Sequence, residues 1–126
     1  MKKGLLLLAM LTAGSASGHH NYAAYDRDTL VSLEGTVQQI LWGNPHVVIT
    51  LRTENKGEYT VEWGSVFQLS RTGVKAAPVK PGDHVIVTGS VNKDPEKHIL
   101  TLVREMSRPS DGWRWADPRY PSPTAK

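Results

Sequence analysis

The stretch Thr29–Leu41, TLVSLEGTVQQIL, decides how this chain folds. Val31, Leu33, Gly35 and Val37 share one parity, the alternation of a strand with one buried face. The pattern then breaks, because Ile40 falls on the other parity and is flanked by Leu41 and Trp42. A glycine followed by a change of parity marks a bulge or a sharp bend. A strand bent in its middle turns a barrel corner or serves two sheets.

Working outward, Trp42-Gly43-Asn44-Pro45 reads as a turn, since proline fixes its own φ and pushes Asn44 towards extended geometry. A second strand is expected over His46–Arg52, with Val47, Ile49 and Leu51 on one face and His46 on the other. Glu54-Asn55-Lys56-Gly57 is a polar hairpin turn, and the third strand, Glu58–Trp63, puts Tyr59, Val61 and Trp63 inward. Ser65 is placed to cap a short helix holding Val66, Phe67 and Leu69, with Gly73 as its stop. A fourth strand is expected over His84–Val91 and a fifth over His98–Met106, with Leu100 and Leu102 inward. The order β-β-β-α-β-β predicts an all-β, OB-fold-like five-stranded Greek-key barrel with one short helix between strands three and four. A small β-sandwich is the other arrangement this order permits.

The chain has 126 residues, 39% hydrophobic and 21% charged, which suits one domain. It has no cysteine, so disulfides and thiol chemistry are excluded. No apolar run reaches the roughly 20 residues of a transmembrane helix. The beginning is distinctive: Met1-Lys2-Lys3, then an apolar run from Leu5 to Leu11, then small residues from Thr12 to Gly18. That layout is a secretory signal peptide over residues 1–18, cut after Ala16 or after Gly18, and it implies a periplasmic or secreted protein. Removing Lys2 and Lys3 leaves 13 basic residues against 12 acidic ones. A nearly neutral chain lacks the dense positive surface that nucleic acid requires. The barrel domain is expected over residues 19–106. Residues 107–126 hold four of the eight prolines together with Trp113, Trp115 and Tyr120. Proline argues against core strands, so this tail is expected to be a loose terminus whose aromatics cover an edge of the barrel, the alternative being a partner-binding peptide.

Chemistry points to the histidines: His19, His20, His46, His84 and His98. Neutral imidazole is a good ligand for copper, nickel and zinc. Cleavage after Ala16 makes His19 the third residue, so the terminal amine, two backbone amides and the imidazole can wrap one Cu(II) in a square plane. Cleavage after Gly18 makes His19 the first residue, whose amine and ring chelate together. His46, behind the Asn44-Pro45 turn and off the apolar face of its strand, is the best further ligand. A metal site of His19, His20 and His46 is therefore expected. The alternative is a barrel face for an oligosaccharide, a peptide or a cell-envelope protein partner, with Trp42, Tyr59 and Trp63 as stacking groups. Hydrolase and nucleotide motifs are missing: the sequence has no Ser-His-Asp elbow, no HExxH and no Walker loop. The chain reads as a binding protein rather than an enzyme, with copper redox chemistry the one open exception.

The run His19-His20-Asn21-Tyr22-Ala23-Ala24-Tyr25-Asp26, followed by Leu33-Glu34-Gly35-Thr36-Val37, Trp42-Gly43-Asn44-Pro45-His46 and Lys80-Pro81-Gly82-Asp83, resembles a family of small exported bacterial proteins known only as a domain of unknown function. The resemblance covers about residues 19 to 105. It departs at Asn21-Tyr22, where the family usually has Ser-Phe, and the segment after the third strand is shorter here. It implies an exported, single-domain, OB-like protein and places His19, His20 and His46 within family motifs. It implies no activity.

Overall fold

The structure is a computed structural model that describes residues 22–121. The chain opens with a 3-10 turn at Tyr22–Ala24 and builds six strands: β1 Val31–Leu41, β2 Val48–Thr53, β3 Glu58–Glu62, β4 His84–Val91, β5 Ile99–Arg108 and β6 Trp113–Ala116. One helix, α1 (Val66–Arg71), lies between β3 and β4. Ser65 caps it with a capping box: the Gln68 amide donates to Ser65 Oγ at 3.1 Å, and the Ser65 amide donates to Gln68 Oε1 at 3.2 Å. The strands run in the order β3-β2-β1-β4-β5-β6, and β3 also pairs with β5, which closes a five-stranded barrel of the OB type. All neighbours are antiparallel except that closing seam, which is parallel and holds two register pairs, Thr60 with Ile99 and Val61 with Leu100.

The long first strand bends where the sequence implies. Gly35 pairs with Thr53 of β2 and with Val85 of β4, so β1 serves both neighbours at once. A side chain at Gly35 would overlap the Arg52 carbonyl oxygen. The register then shifts between Val37 and Gln39, which is the expected bulge. A second irregularity falls where β4 meets β5. Thr88 pairs with Glu105 and Ser90 with Thr101, and a Cβ on Gly89 would sit 2.6 Å from the Thr101 carbonyl oxygen. Leu102 lies in the looped-out part of β5 and takes a left-handed φ of 49°. Its expected inward position is therefore corrected: Leu100 is fully buried, whereas Leu102 is half-exposed and its neighbours Thr101 and Val103 are buried.

The core is aliphatic, with Leu33, Val37, Ile49, Leu51, Val61, Val85, Val87, Leu100 and Met106 nearly or fully buried. Trp63 and Trp115 join it edge to face, centroids 5.1 Å apart and planes at 82°. The contribution of Trp115 and the pairing of its strand correct the picture of a loose terminus. β5 runs on to Arg108, and β6 pairs along it, Met106 opposite Trp115. The prolines flank this short strand rather than interrupt it: Pro109 lies in the turn before it and Pro118 follows it. The turn is tied by Arg108, whose Nε and Nη2 reach the Asp111 carboxylate at 3.1 and 2.9 Å and whose Nη1 reaches Asp83 Oδ2 at 2.9 Å. Arg114 and Glu105 pair across the same hairpin.

Candidate functional site

Two adjoining clefts open on one side of the barrel, about 650 and about 630 Å³ in volume. They share Arg27, Leu102, Asp117, Arg119 and Tyr120. The first lobe adds His46, Glu62, Trp63, Leu69, Arg71 and Trp115, and the second adds Tyr25, Asp26, Asp28, Lys93 and Arg104. The left-handed backbone of Leu102 directs chain into the wall common to both. Backbone outliers of this kind cluster at ligand sites, where the surrounding fold holds them in place.

His46 is set by the corner that precedes β2. The Asn44–Pro45 peptide is cis, and Asn44 Oδ1 accepts the amide hydrogen of Val66 at 3.1 Å, which ties the corner to the start of α1. Val47 and the β3–α1 corner exchange backbone bonds: Val47 N donates to Gly64 O at 2.9 Å, and Trp63 N donates to Val47 O at 2.8 Å. His46 Nδ1 then lies 3.0 Å from the Trp63 carbonyl oxygen. A carbonyl only accepts, so Nδ1 carries the proton, and in the neutral ring the lone pair is on Nε2.

Charge in the cleft is partly committed. The buried Asp117 carboxylate receives the Arg119 guanidinium at 2.7 Å and the Arg119 amide at 3.0 Å. Burial alone would raise its pKa, but hydrogen bonds from Arg119 and the charges of Arg119 and Arg104 outweigh it and hold the carboxyl below its usual range. Arg104 in turn stacks its guanidinium 3.5 Å from the Tyr120 ring centroid. Trp63 Nε1 differs: it is buried and has no hydrogen-bond partner among the described residues.

The expected site residues are thus dispersed in part. His46 and Trp63 line the first lobe, with Trp63 only 3% exposed and so a wall rather than a platform. Tyr59 stacks flat on His98, centroids 4.7 Å apart, beside a separate cavity of about 380 Å³. Trp42 is half-buried against the core and lines none of these three cavities. His84 bonds Glu34 at 2.8 Å through Nε2, and His98 Nδ1 donates to the Glu58 carbonyl oxygen at 3.1 Å. His19 and His20 lie outside the described residues. Glu62, Arg71, Leu102 and Trp115 escaped the sequence reading. The alternation gives Leu102 as core, the prolines give Trp115 as tail, and no motif singles out Glu62 or Arg71.

A family model of unknown function, DUF6152, matches residues 7–101. The chain belongs to DUF6152. The matched segment of this DUF6152 protein takes in the first four strands and the start of β5 and stops before Leu102, Trp115, Asp117 and Arg119, which complete the cleft. No curated protein matches the chain. Among solved structures, apo TiaS, a tRNAIle2 agmatidine synthetase, is similar with a TM-score of 0.47 and 18% identity over 66% of this chain. The ZRD-deleted mutant of TiaS in complex with agmatine gives a TM-score of 0.47 and 17% identity over 72% of this chain. The chain spans 18% and 26% of the length of those two proteins. At such TM-scores the likeness says nothing about activity.

Proposed function

We propose that this DUF6152 chain is an exported binding protein that takes Cu(II), or a similar divalent metal, through the imidazoles of His46, His19 and His20. The observation that carries this reading is the bond from His46 Nδ1 to the Trp63 carbonyl oxygen. Metal-binding histidines characteristically donate their second ring nitrogen to a carbonyl or a carboxylate, which fixes the tautomer and aims the other nitrogen at the ion. Among the described residues, no three His, Asp or Glu side chains converge on a metal, so a complete set needs ligands from the preceding segment. The residues that follow that segment support this reading. Ala24 O accepts the Lys93 amide at 2.8 Å, Tyr25 bridges to Asn92, and Arg27 lines the lobe that holds His46. Removal of a signal peptide at Ala16 or Gly18 would add the new amine to the ligand set, and amine, amide and imidazole nitrogen suit the square plane of Cu(II). The oligosaccharide or peptide alternative relied on Trp42, Tyr59 and Trp63, which line no common cavity.

The test is a Cu(II) titration of the tag-free exported protein, followed by electron paramagnetic resonance, with the intact mass identifying the first residue. His46→Ala should lower affinity by about tenfold or more and reduce the number of coordinated nitrogens. An unchanged spectrum and affinity in His46→Ala would remove His46 from the site. Affinity no greater than that of a peptide with the same first three residues would end the folded-site reading.

A further inference from the structure

The second lobe holds charge that a metal site at His46 leaves unused. Its wall carries the cations Arg27, Lys93, Arg104 and Arg119 and the carboxylates Asp26, Asp28 and Asp117. Two of the carboxylates are committed. Asp117 is paired with Arg119, and Asp26 Oδ1 accepts the amide hydrogens of Asp28 and Thr29 at 3.3 and 3.2 Å. Asp28 is exposed, so water screens it. The side chains of Arg27, Lys93 and Arg104, by contrast, have no hydrogen-bond acceptor among the described residues.

Arg104 is the fixed member of this set. It is half-buried on β5, and its carbonyl oxygen accepts the Asp117 amide at 2.9 Å. The chain then turns. The Tyr120 amide donates to Asp117 O at 3.2 Å, and the Tyr120 ring lies against the Arg104 guanidinium, 3.5 Å from the ring centroid. Stacking of this kind engages the face of a guanidinium and leaves its in-plane N–H groups available. Arg104 is thus held in place while its donors stay unused within the described chain. Arg27, on the bend before β1, and Lys93, on the β4–β5 loop, come to the same lobe from two other parts of the chain, and both are exposed.

We infer that the second lobe binds a phosphate group, with Arg104 as the preset donor and Arg27 and Lys93 closing on it. A phosphate is acceptor-only and carries about two charges near neutral pH. Its oxygens point in tetrahedral directions, so it can take donors from three separate elements at once. A carboxylate is planar, carries one charge and is satisfied by a single arginine fork. Arginine supplies directional bonds to phosphate and lysine a point charge. The volume of about 630 Å³ leaves room for the body that carries the phosphate, whether a soluble ester or a lipid headgroup. None of the three cations is a proposed metal ligand and His46 does not line this lobe, so the inference stands apart from copper.

The experiment uses the exported protein, stripped of metal with a chelator and desalted, in calorimetry at constant ionic strength. The soluble probes are inorganic phosphate and glycerol 3-phosphate, with acetate as the carboxylate control. Both phosphates should bind saturably with a Kd of about 1 mM or tighter, and acetate about tenfold more weakly or worse. Arg104→Gln should weaken phosphate by about tenfold. Lys93→Gln, an exposed change that spares the packing, should weaken it by about threefold, whereas Lys75→Gln, exposed after α1, should change nothing. Phosphatidylcholine vesicles with and without phosphatidic acid separate the two sources. Vesicle binding that requires phosphatidic acid and is lost in Arg104→Gln assigns a lipid headgroup, and binding confined to the soluble probes assigns a soluble ester. No saturation with either soluble probe by about 10 mM, equal affinity for acetate, or full affinity in both Arg104→Gln and Lys93→Gln would overturn the inference. Because no metal is present, failure here leaves the copper titration unaffected, and failure there leaves this result unaffected.

Discussion

The ring of Trp115 meets the ring of Trp63 at 82° with centroids 5.1 Å apart, and its Nε1 donates to Thr72 Oγ1 at 3.0 Å. A residue of β6 thereby ties the corner that follows β3 and the end of α1 to the same point of the core.

Trp115→Ala should cost about 3–5 kcal/mol, the range for truncating a buried tryptophan. Trp115→Phe should recover part of that loss by refilling the volume, without the bond to Thr72. Urea unfolding measures both, and near-ultraviolet circular dichroism should lose intensity in each variant. A Trp115→Ala cost under about 0.5 kcal/mol would make β6 a surface appendage.

Gly35→Ala should be among the most damaging single changes, at least about 3 kcal/mol, because the new methyl group collides with the Arg52 backbone and cannot be relieved by a rotamer change. Gly43→Ala is the control. It has open space around it, so it should lie between neutral and about 1 kcal/mol stabilising. Thermal denaturation of the pair separates a packing requirement from a general intolerance of alanine.

Leu102→Gly should cost much less than its residue type suggests. The left-handed backbone opposes an L side chain by about 1–2 kcal/mol, so removing the side chain returns part of what the lost contacts contribute. The net effect should be within about 1 kcal/mol of the parent, against about 2–5 kcal/mol for Leu100→Ala in the fully buried neighbouring position. Unfolding free energies compare the two directly.

Acid should weaken the fold through Asp117 and, more weakly, through the exposed Asp111. Asp111 is held below its ordinary 3.8 first by the Arg108 side chain, then by the Trp113 amide. A carboxyl with a depressed folded pKa contributes stability that is present above its unfolded value and is lost as pH falls through the folded one. Both contributions should therefore be intact at neutral pH and disappear below about pH 4. Asp117→Asn should be less stable at pH 7 and show a flatter stability–pH curve below pH 4, measured by denaturant titration at successive pH values.

Much of the barrel was legible in the sequence because alternation and glycine placement are local signals. The bent first strand, the Ser65 cap and the fourth strand at His84–Val91 follow from neighbours a few residues apart. Leu102 was misplaced because its orientation depends on a bulge opposite Gly89, a relation between two strands that a single parity count does not contain. Trp115 was misplaced because nearby prolines outweighed a strand only four residues long. His46 was legible as a candidate from its turn, whereas its bond to the Trp63 carbonyl needed the fold. The cleft itself combines residues from the beginning, middle and end of the chain, and no spacing in the sequence announces such a meeting.

The parallel seam of Thr60–Ile99 and Val61–Leu100 sets an order of events during synthesis. Four of the strand pairs join consecutive strands, whereas β1 waits for β4 and β3 waits for β5, each across about forty residues. A nascent chain ending before Ile99 exposes β3 as an unpaired edge, the form in which strands recruit foreign ones. Closing the barrel is thus a late step, and the stretch between β3 and β5 is the length of polypeptide over which that edge needs shielding.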